Sequence, residues 1–384
     1  MKRRDFLYFG GATAMAAGFP SLALSARAKT PVLILIELNG GNDSHNTVLD
    51  REQLGIYKML RPTLGLADDE RVTLDKRFAL HRSLTDFKVP WDKGELALVH
   101  GLGYPHANKS HFRSIEIWDM ASAHDEYLSS GWLANVLPNI SKSEINALTF
   151  GRNALPFSGG AASHVQLENL SSYFKKIQRV KENNQASSNS ALNHLLGLNQ
   201  NIQNSKAALM RGLSKDIKLK QNFPNNNFGK QMADIAKVIR MDLHVPAFKV
   251  AIGSFDTHRG QKGKHQQLLK QLADGMMALR GELIQSGHWS NILMMTYSEF
   301  GRRAGQNGSA GSDHGTAASH FLMGGRVRGG HFGEYPSFEQ LENKDVVHNV
   351  DFRALYQSVV RDWWQQDNFT LASGLPSLDL IHPA

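Results

Sequence analysis

Short runs of consecutive apolar residues recur along the chain, and each runs into a polar stretch that often holds glycine. Pro31–Leu38 reads PVLILIEL, Gly94–Gly101 GELALVHG, Pro246–Ile252 PAFKVAI and Ile292–Met295 ILMM; Ala147–Phe150 and Phe321–Gly325 are similar. Runs of this length without polar alternation fit strands buried on both faces, as in a parallel sheet covered by helices. Helical patterning between them predicts helices near Leu84–Val89, over Ser110–Met120, from Gly131 onward and over His265–Ser286. A last helix, with Asp351 as N-cap, reaches Trp363-Trp364. The predicted class is α/β with a mostly parallel sheet. From Gln166 to Met241 the composition shifts to Asn, Gln, Ser and Lys with leucines at helical spacing, which predicts a helical insertion (166–241) forming an exposed cap over the sheet.

Composition narrows the chemistry. The 384 residues are 41% hydrophobic and 20% charged, an ordinary globular balance. There is no Cys, which excludes disulfides, thiolate metal sites and cysteine nucleophiles. Residues 1–28 read as an export signal: Arg3-Arg4 is followed by Asp5-Phe6-Leu7, then a Gly/Ala-rich apolar core from Phe9 to Phe19 too short to span a bilayer. Ala26-Arg27-Ala28 offers a small-x-small cleavage site. The expected route is the twin-arginine translocase, which carries folded proteins, and the expected location is periplasmic or secreted, with no stable membrane span. The formal charge is +8, of which +3 lies in residues 1–28. The remaining basic excess fits an anionic small-molecule or polymer substrate weakly. No basic run with interleaved aromatics argues for nucleic acid.

Candidate chemistry lies at the ends of the predicted strands, where open α/β sheets place their ligands. After Leu38 comes NGGNDSHN, with two glycines that permit a tight turn and Asp43 within reach of a metal. After Gly101 come Lys109, Ser110, His111 and Arg113, with Ser110 at a helix N-cap, a place that favours anions. After Ile252, Asp256 and His258 are two residues apart, so in an extended stretch both face one side. After Met295 come Glu299, Asp313, His314 and His320. Asp, His and Glu in such loops are the materials of a site for one or two divalent ions. Such ions polarise a phosphoryl or sulfuryl oxygen and activate a hydroxyl or water. Lys109, Arg113, Arg259 and Arg302 are candidates for stabilising anionic oxygens.

The Arg3-Arg4 signal, ELNGGND, KSHFRS, FDTH, TYSEFGRR and SDHGTAASHF together resemble the secreted bacterial "domain of unknown function 1501" family, a branch of the alkaline phosphatase/sulfatase-like superfamily. The resemblance covers nearly all of the chain after the signal. It implies one domain, 29–384, with an alkaline phosphatase-like three-layer α/β/α architecture and a two-metal site (zinc, manganese or calcium). By that analogy Asp43 is the first-strand metal aspartate, Ser110 the nucleophile at a helix start, and Asp256 and His258 third-strand ligands. Two departures leave the late ligands open. The superfamily's Thr-x-Asp-His-Gly follows a late strand directly, whereas here Thr-Tyr-Ser-Glu299-Phe-Gly comes first and Asp313-His314-Gly follows an inserted loop. Either Glu299 replaces the Asp-His pair and His314 is the last ligand, or Asp313-His314 is the pair and His320 the last. Asp256-x-His258 is also shorter than the phosphatases' Asp-x-x-x-His. The Ser110-His-Phe-Arg113 stretch lacks the proline of sulfatases, which favours phosphate or a related ester over sulfate. The expected function is an exported metal-dependent hydrolase of phosphate esters, with Ser110 or a metal hydroxide as nucleophile and Lys109 and Arg113 assisting. The rival is a non-catalytic binding or assembly protein that retains the fold.

Overall fold

The computed structural model describes residues 30–177, 207 and 217–383. A central sheet takes nine strands: β1 (Val32–Leu38), β2 (Leu96–Gly103), β3 (Ala147–Phe150), β4 (His164–Leu167), β5 (Ala247–Ile252), β6 (Ile292–Tyr297), β7 (Ala318–Gly324), β8 (Gly330–Phe332) and β9 (Val350–Asp351). The spatial order is β8-β2-β7-β6-β1-β5-β3-β4, with β9 also on β2. β7 runs antiparallel to β2 and β6, and the remaining pairings are parallel.

The uninterrupted apolar runs form strands covered on both faces. In β1, Ile34, Ile36 and Leu38 enter one core and Leu33 and Leu35 the other, as the period-two alternation of a strand requires. Four helices dominate the covering layers: α1 (His111–Met120), α2 (Asn227–Arg240), α3 (Gln261–Gln285) and α4 (Phe352–Ser358). Residues of α2 and α3 pack into the core of Ile34; residues of α1 and α4 pack into the core of Leu33. The α/β class expected from the sequence is the one observed.

Several boundaries differ from expectation. The segment after Gly131 is a series of turns, and only Leu137–Ile140 is helical. Near Leu84–Val89 a 3₁₀ segment, Arg82–Phe87, precedes a short helix, Lys88–Asp92. The flanks of the 166–241 range belong to the layers themselves: β4 pairs with β3, and α2 buries Phe228, Met232 and Ile235. Residues 178–206 and 208–216, and the export signal, lie outside the described residues. Among the described residues no helix is long and apolar enough to cross a membrane. Asp351 caps α4 as expected, its carboxylate accepting from the Arg353 amide at 2.9 Å.

Burial gives the fold a pH signature. Burial lowers His45 and His81 to about 4 and His100, His265 and His320 to about 3. These imidazoles are neutral in the native state, while in the unfolded chain they protonate near 6.5. Their contribution is therefore fully present above about 6.5 and is lost as the pH falls through 4 toward 3. Denaturant titrations from pH 7.5 to 4.5 should show stability falling steeply below about 6.5, with several protons taken up on unfolding. A flat profile would mean that the histidines are not held neutral.

Candidate metal centre

Parallel pairing aligns the C-terminal ends of β5, β1 and β6: Glu37 is opposite Ala251 on one side and Tyr297 on the other. The loops leaving these strands are tied to one another. The Asn39 amide donates to the Ile252 carbonyl, the Phe255 amide to the Asn39 carbonyl, and the Ser298 hydroxyl to the Leu38 carbonyl. Gly40 sits at φ 114°, and a Cβ there would lie 2.3 Å from the Asp256 nitrogen, so only glycine lets the first loop lie against Asp256. The excursion after β6 is pinched where it leaves and returns. Arg302 and His314 form an antiparallel bridge, the Arg303 amide donates to the Asp313 carbonyl, and the Gly315 amide donates to the Gly301 carbonyl. The inserted loop thus returns His314 to the strand end.

At that edge His111, Asp256 and His314 offer ligand atoms that all lie within 4.8 Å of one another. His258 joins them. Its Nε2 is 3.0 Å from His314 Nε2 and 3.1 Å from Asp256 Oδ1, and His314 Nε2 is 3.2 Å from the same oxygen. His111 Nε2 approaches the other Asp256 oxygen at 3.4 Å. Each imidazole has an acceptor at its other nitrogen. His111 Nδ1 is 2.8 Å from Glu299 Oε1, His258 Nδ1 is 3.1 Å from Asp313 Oδ1, and His314 Nδ1 is 2.9 Å from the Lys109 carbonyl. An acceptor at Nδ1 calls for the proton there and leaves the Nε2 lone pair facing the cluster. The ring of Phe300 backs the group, 4.3 Å from His314 and 4.9 Å from His111 between centroids.

The electrostatics favour the metal-binding protonation states of Asp256 and His314. Burial raises the Asp256 carboxyl, but the hydrogen bond and charge of the Arg302 guanidinium, with the neighbouring imidazoles, outweigh it and bring it to about 2. Burial lowers His314, whereas the Glu299 carboxylate raises His111. The donor set, imidazole nitrogens with one ionised carboxylate, fits a borderline divalent cation such as zinc.

Arg302 assembles the loops around this set. Its buried guanidinium donates to the carbonyls of Gly41 (2.8 Å), Ser312 (2.7 Å), Phe255 (3.1 Å) and Gly40, and to Asp256 Oδ1 (2.8 Å). It orients Asp256 and faces away from solvent, so it does not stand free for substrate oxygens as the sequence suggested. Lys109 is drawn to Asp345, and Arg113 pairs with Glu116 at 2.9 Å and donates to the His124 carbonyl. Ser110 caps α1 by position; its hydroxyl makes no capping hydrogen bond and the residue is exposed. Arg259 is exposed beside His258.

Of the seven expected metal ligands, Asp256, His258 and His314 come together. Glu299 and Asp313 stand behind two of the imidazoles. Asp43 is drawn elsewhere: it is fully buried and paired with Arg61 at 2.5 Å, with Gln261 as a second donor. Burial raises its carboxyl, but Arg61 outweighs this and holds it far below the ordinary carboxylate range. His320 lies inside β7 rather than in the loop, because that strand begins earlier than the apolar run indicated. It is buried at 3.5 Å from the Thr296 hydroxyl and packs on Trp118. His111 is the added member; its place at a helix start beside Ser110 was the available signal. A cleft of about 460 Å³ adjoins the cluster, lined by His111, Asp256, Glu299, Gly40, Phe112 and Ile115 among others.

The family profile described as "Protein of unknown function (DUF1501)" matches residues 32–359. The chain belongs to the DUF1501 family. No curated protein matches it in sequence. Among solved structures, this DUF1501 chain is similar to Ps i-CgsB, with 10% identity over 88% of this chain and 72% of that one and a TM-score of 0.42. It is also similar to the sulfatase PsFucS1 from Pseudoalteromonas sp., with 11% identity over 91% and 71% and a TM-score of 0.39. A protein in the alkaline phosphatase superfamily from Vibrio parahaemolyticus follows, with 10% identity over 79% and 62% and a TM-score of 0.32. At that level of likeness none of their chemistry is carried to this chain.

Proposed function

We propose that this DUF1501 protein is a metal-dependent hydrolase of anionic esters, phosphate before sulfate. The observation behind this reading is the convergence of three imidazole Nε2 atoms and the ionised Asp256 beside an open cleft. His111, Asp256, His258 and His314 would hold the cation, which when bound supplies Lewis-acid stabilisation of the ester's anionic oxygens. Because Lys109, Arg113 and Arg302 are engaged elsewhere, that stabilisation falls to the cation and to the amides at the start of α1, where the Ser110 side chain makes no capping bond. Phe112, 88% exposed, and Ile115 give the cleft an apolar wall for the ester's organic group. Ser110, exposed and next to His111, is the proposed nucleophile: its oxygen forms the bond to phosphorus as the bond to the alcohol oxygen breaks and the serine proton leaves with the alcohol, and water then cleaves the serine phosphate, returning a proton to Ser110 and releasing phosphate.

Ser110→Ala is expected to lower kcat on an aryl phosphate at least ~100-fold with metal content unchanged, as loss of a nucleophile requires. An unchanged kcat would assign the attack to water. The engagement of those three cations also favours the rival reading, a non-catalytic binding protein, and measurable turnover decides against that reading.

Export by the twin-arginine translocase to the periplasm or beyond belongs to the same proposal, resting on Arg3-Arg4 and the apolar stretch after it. Replacing both arginines by lysine should leave the protein in the cytoplasmic fraction. Unimpaired export of that variant would exclude the route.

A further inference from the structure

We infer that the centre takes one cation, four-coordinated by His111, His258 and His314 through Nε2 and by Asp256, and that Glu299, Asp313 and the Lys109 carbonyl hold the imidazoles in register. This rests on the metal-dependent reading above and departs from the two-ion site that the family resemblance implies.

Spacing supports the ligand set. Ligands at about 2.0–2.1 Å from a tetrahedral ion stand roughly 3.3 Å apart. Asp256 Oδ1, His258 Nε2 and His314 Nε2 form a triangle with sides of 3.0, 3.1 and 3.2 Å, and His111 Nε2 lies 3.4 Å from the other oxygen of Asp256. Once each Nδ1 carries its proton, the Nε2 atoms of His258 and His314 are lone pairs facing each other and Asp256 Oδ1, and that of His111 faces Asp256 Oδ2. Such a gathering of acceptors repels unless a cation sits among them.

The orienting contacts point the same way. Metal-bound histidines give their second nitrogen to a carboxylate or a backbone carbonyl, which fixes tautomer and ring angle. All three imidazoles have such a partner. The same contacts argue against a second ion. Glu299 accepts from His111 Nδ1 and, at 2.8 Å, from the Gly40 amide; Asp313 accepts from His258 Nδ1 and, at 3.0 Å, from Asn307. Asp43 is held by Arg61, and His320 is inside the sheet. Among the described residues no second group of three or more possible ligands comes together.

The test is titration of the chelator-stripped full chain with zinc, and separately with cobalt(II), by calorimetry and elemental analysis. One equivalent is expected, with the intense visible bands of four-coordinate cobalt. His111→Ala and His258→Ala should each weaken zinc binding at least ~100-fold. Glu299→Gln and Asp313→Asn should keep one equivalent while weakening it about 10–100-fold, the range for groups that orient a ligand. Two equivalents in the native chain, or loss of one equivalent of two in Asp313→Asn, overturns the inference. Weak six-coordinate cobalt bands would also overturn it. Nitrogen NMR of the imidazoles in the zinc-loaded native chain, with protons expected on Nδ1 of all three, decides the point even where a variant fails to fold. One equivalent without ester turnover would leave this assignment standing and remove the hydrolase reading; turnover with two equivalents would do the reverse.

Discussion

Asp256→Ala is expected to remove metal binding and to reduce ester turnover to background, a loss of at least ~1,000-fold in kcat/KM. The size follows from how many contacts meet on one carboxylate. Asp256 is the oxygen ligand among the gathered imidazoles, lying 3.1 Å from His258, 3.2 Å from His314 and 3.4 Å from His111. Its removal deletes the negative charge that offsets a divalent cation and leaves the Arg302 guanidinium beside the site without its carboxylate partner. Both effects oppose cation binding. Elemental analysis of the variant beside the native protein, with turnover of an aryl phosphate, checks the expectation. Native-like metal content in Asp256→Ala would place the ion elsewhere.

Lys249→Met is expected to lower stability by about 3–5 kcal/mol, the range for removing one partner of a buried ion pair. Lys249 lies inside β5, 2% exposed, with Nζ 3.0 Å from Glu37 and 3.1 Å from Asp119. Asp119 also accepts from Tyr297 at 2.8 Å and from Asn153 at 2.6 Å. Even with Lys249 present, burial raises Asp119 to about 6. Without the ammonium two carboxylates share one apolar face, and the pH dependence gives a specific sign. A carboxyl raised in the folded state contributes stability below its unfolded value and loses it as the pH rises through the folded value. The deficit relative to native protein should therefore shrink toward acid pH, and Asp119→Asn in the same chain should recover part of it at pH 7. Denaturant midpoints at pH 5 and 7 measure both. A deficit independent of pH would mean lost packing rather than an unpaired charge.

The two faces of the sheet were legible because an unbroken apolar run has few other places to go. PVLILIEL, PAFKVAI and ILMM lie side by side as β1, β5 and β6, and their shared polarity places the loops that follow at one edge. Asp256 and His258 were legible because alternation along an extended stretch turns both to one side. The rest turned on contacts that local spacing does not encode. Asp43 could be placed near the edge, but not its capture by Arg61 from 18 residues away. Glu299 and Asp313 have the chemistry of ligands, and only the loop path puts an imidazole in front of each. His320 reads as loop because β7 begins at Ala318 with small and polar residues before its apolar part. His111 adjoins Ser110 at the helix start, and local spacing does not encode the approach of its ring to Asp256. Lys249 could be placed in a strand, but not its partners, which come from β1 and α1.

The central claim is tested most directly by hydrolysis of an aryl phosphate and an aryl sulfate by chelator-stripped protein, before and after zinc or manganese is returned. The account predicts no turnover in the stripped protein, recovery when metal is restored, and faster cleavage of the phosphate. Turnover that survives stripping, or protein that binds metal and cleaves neither ester, would contradict it.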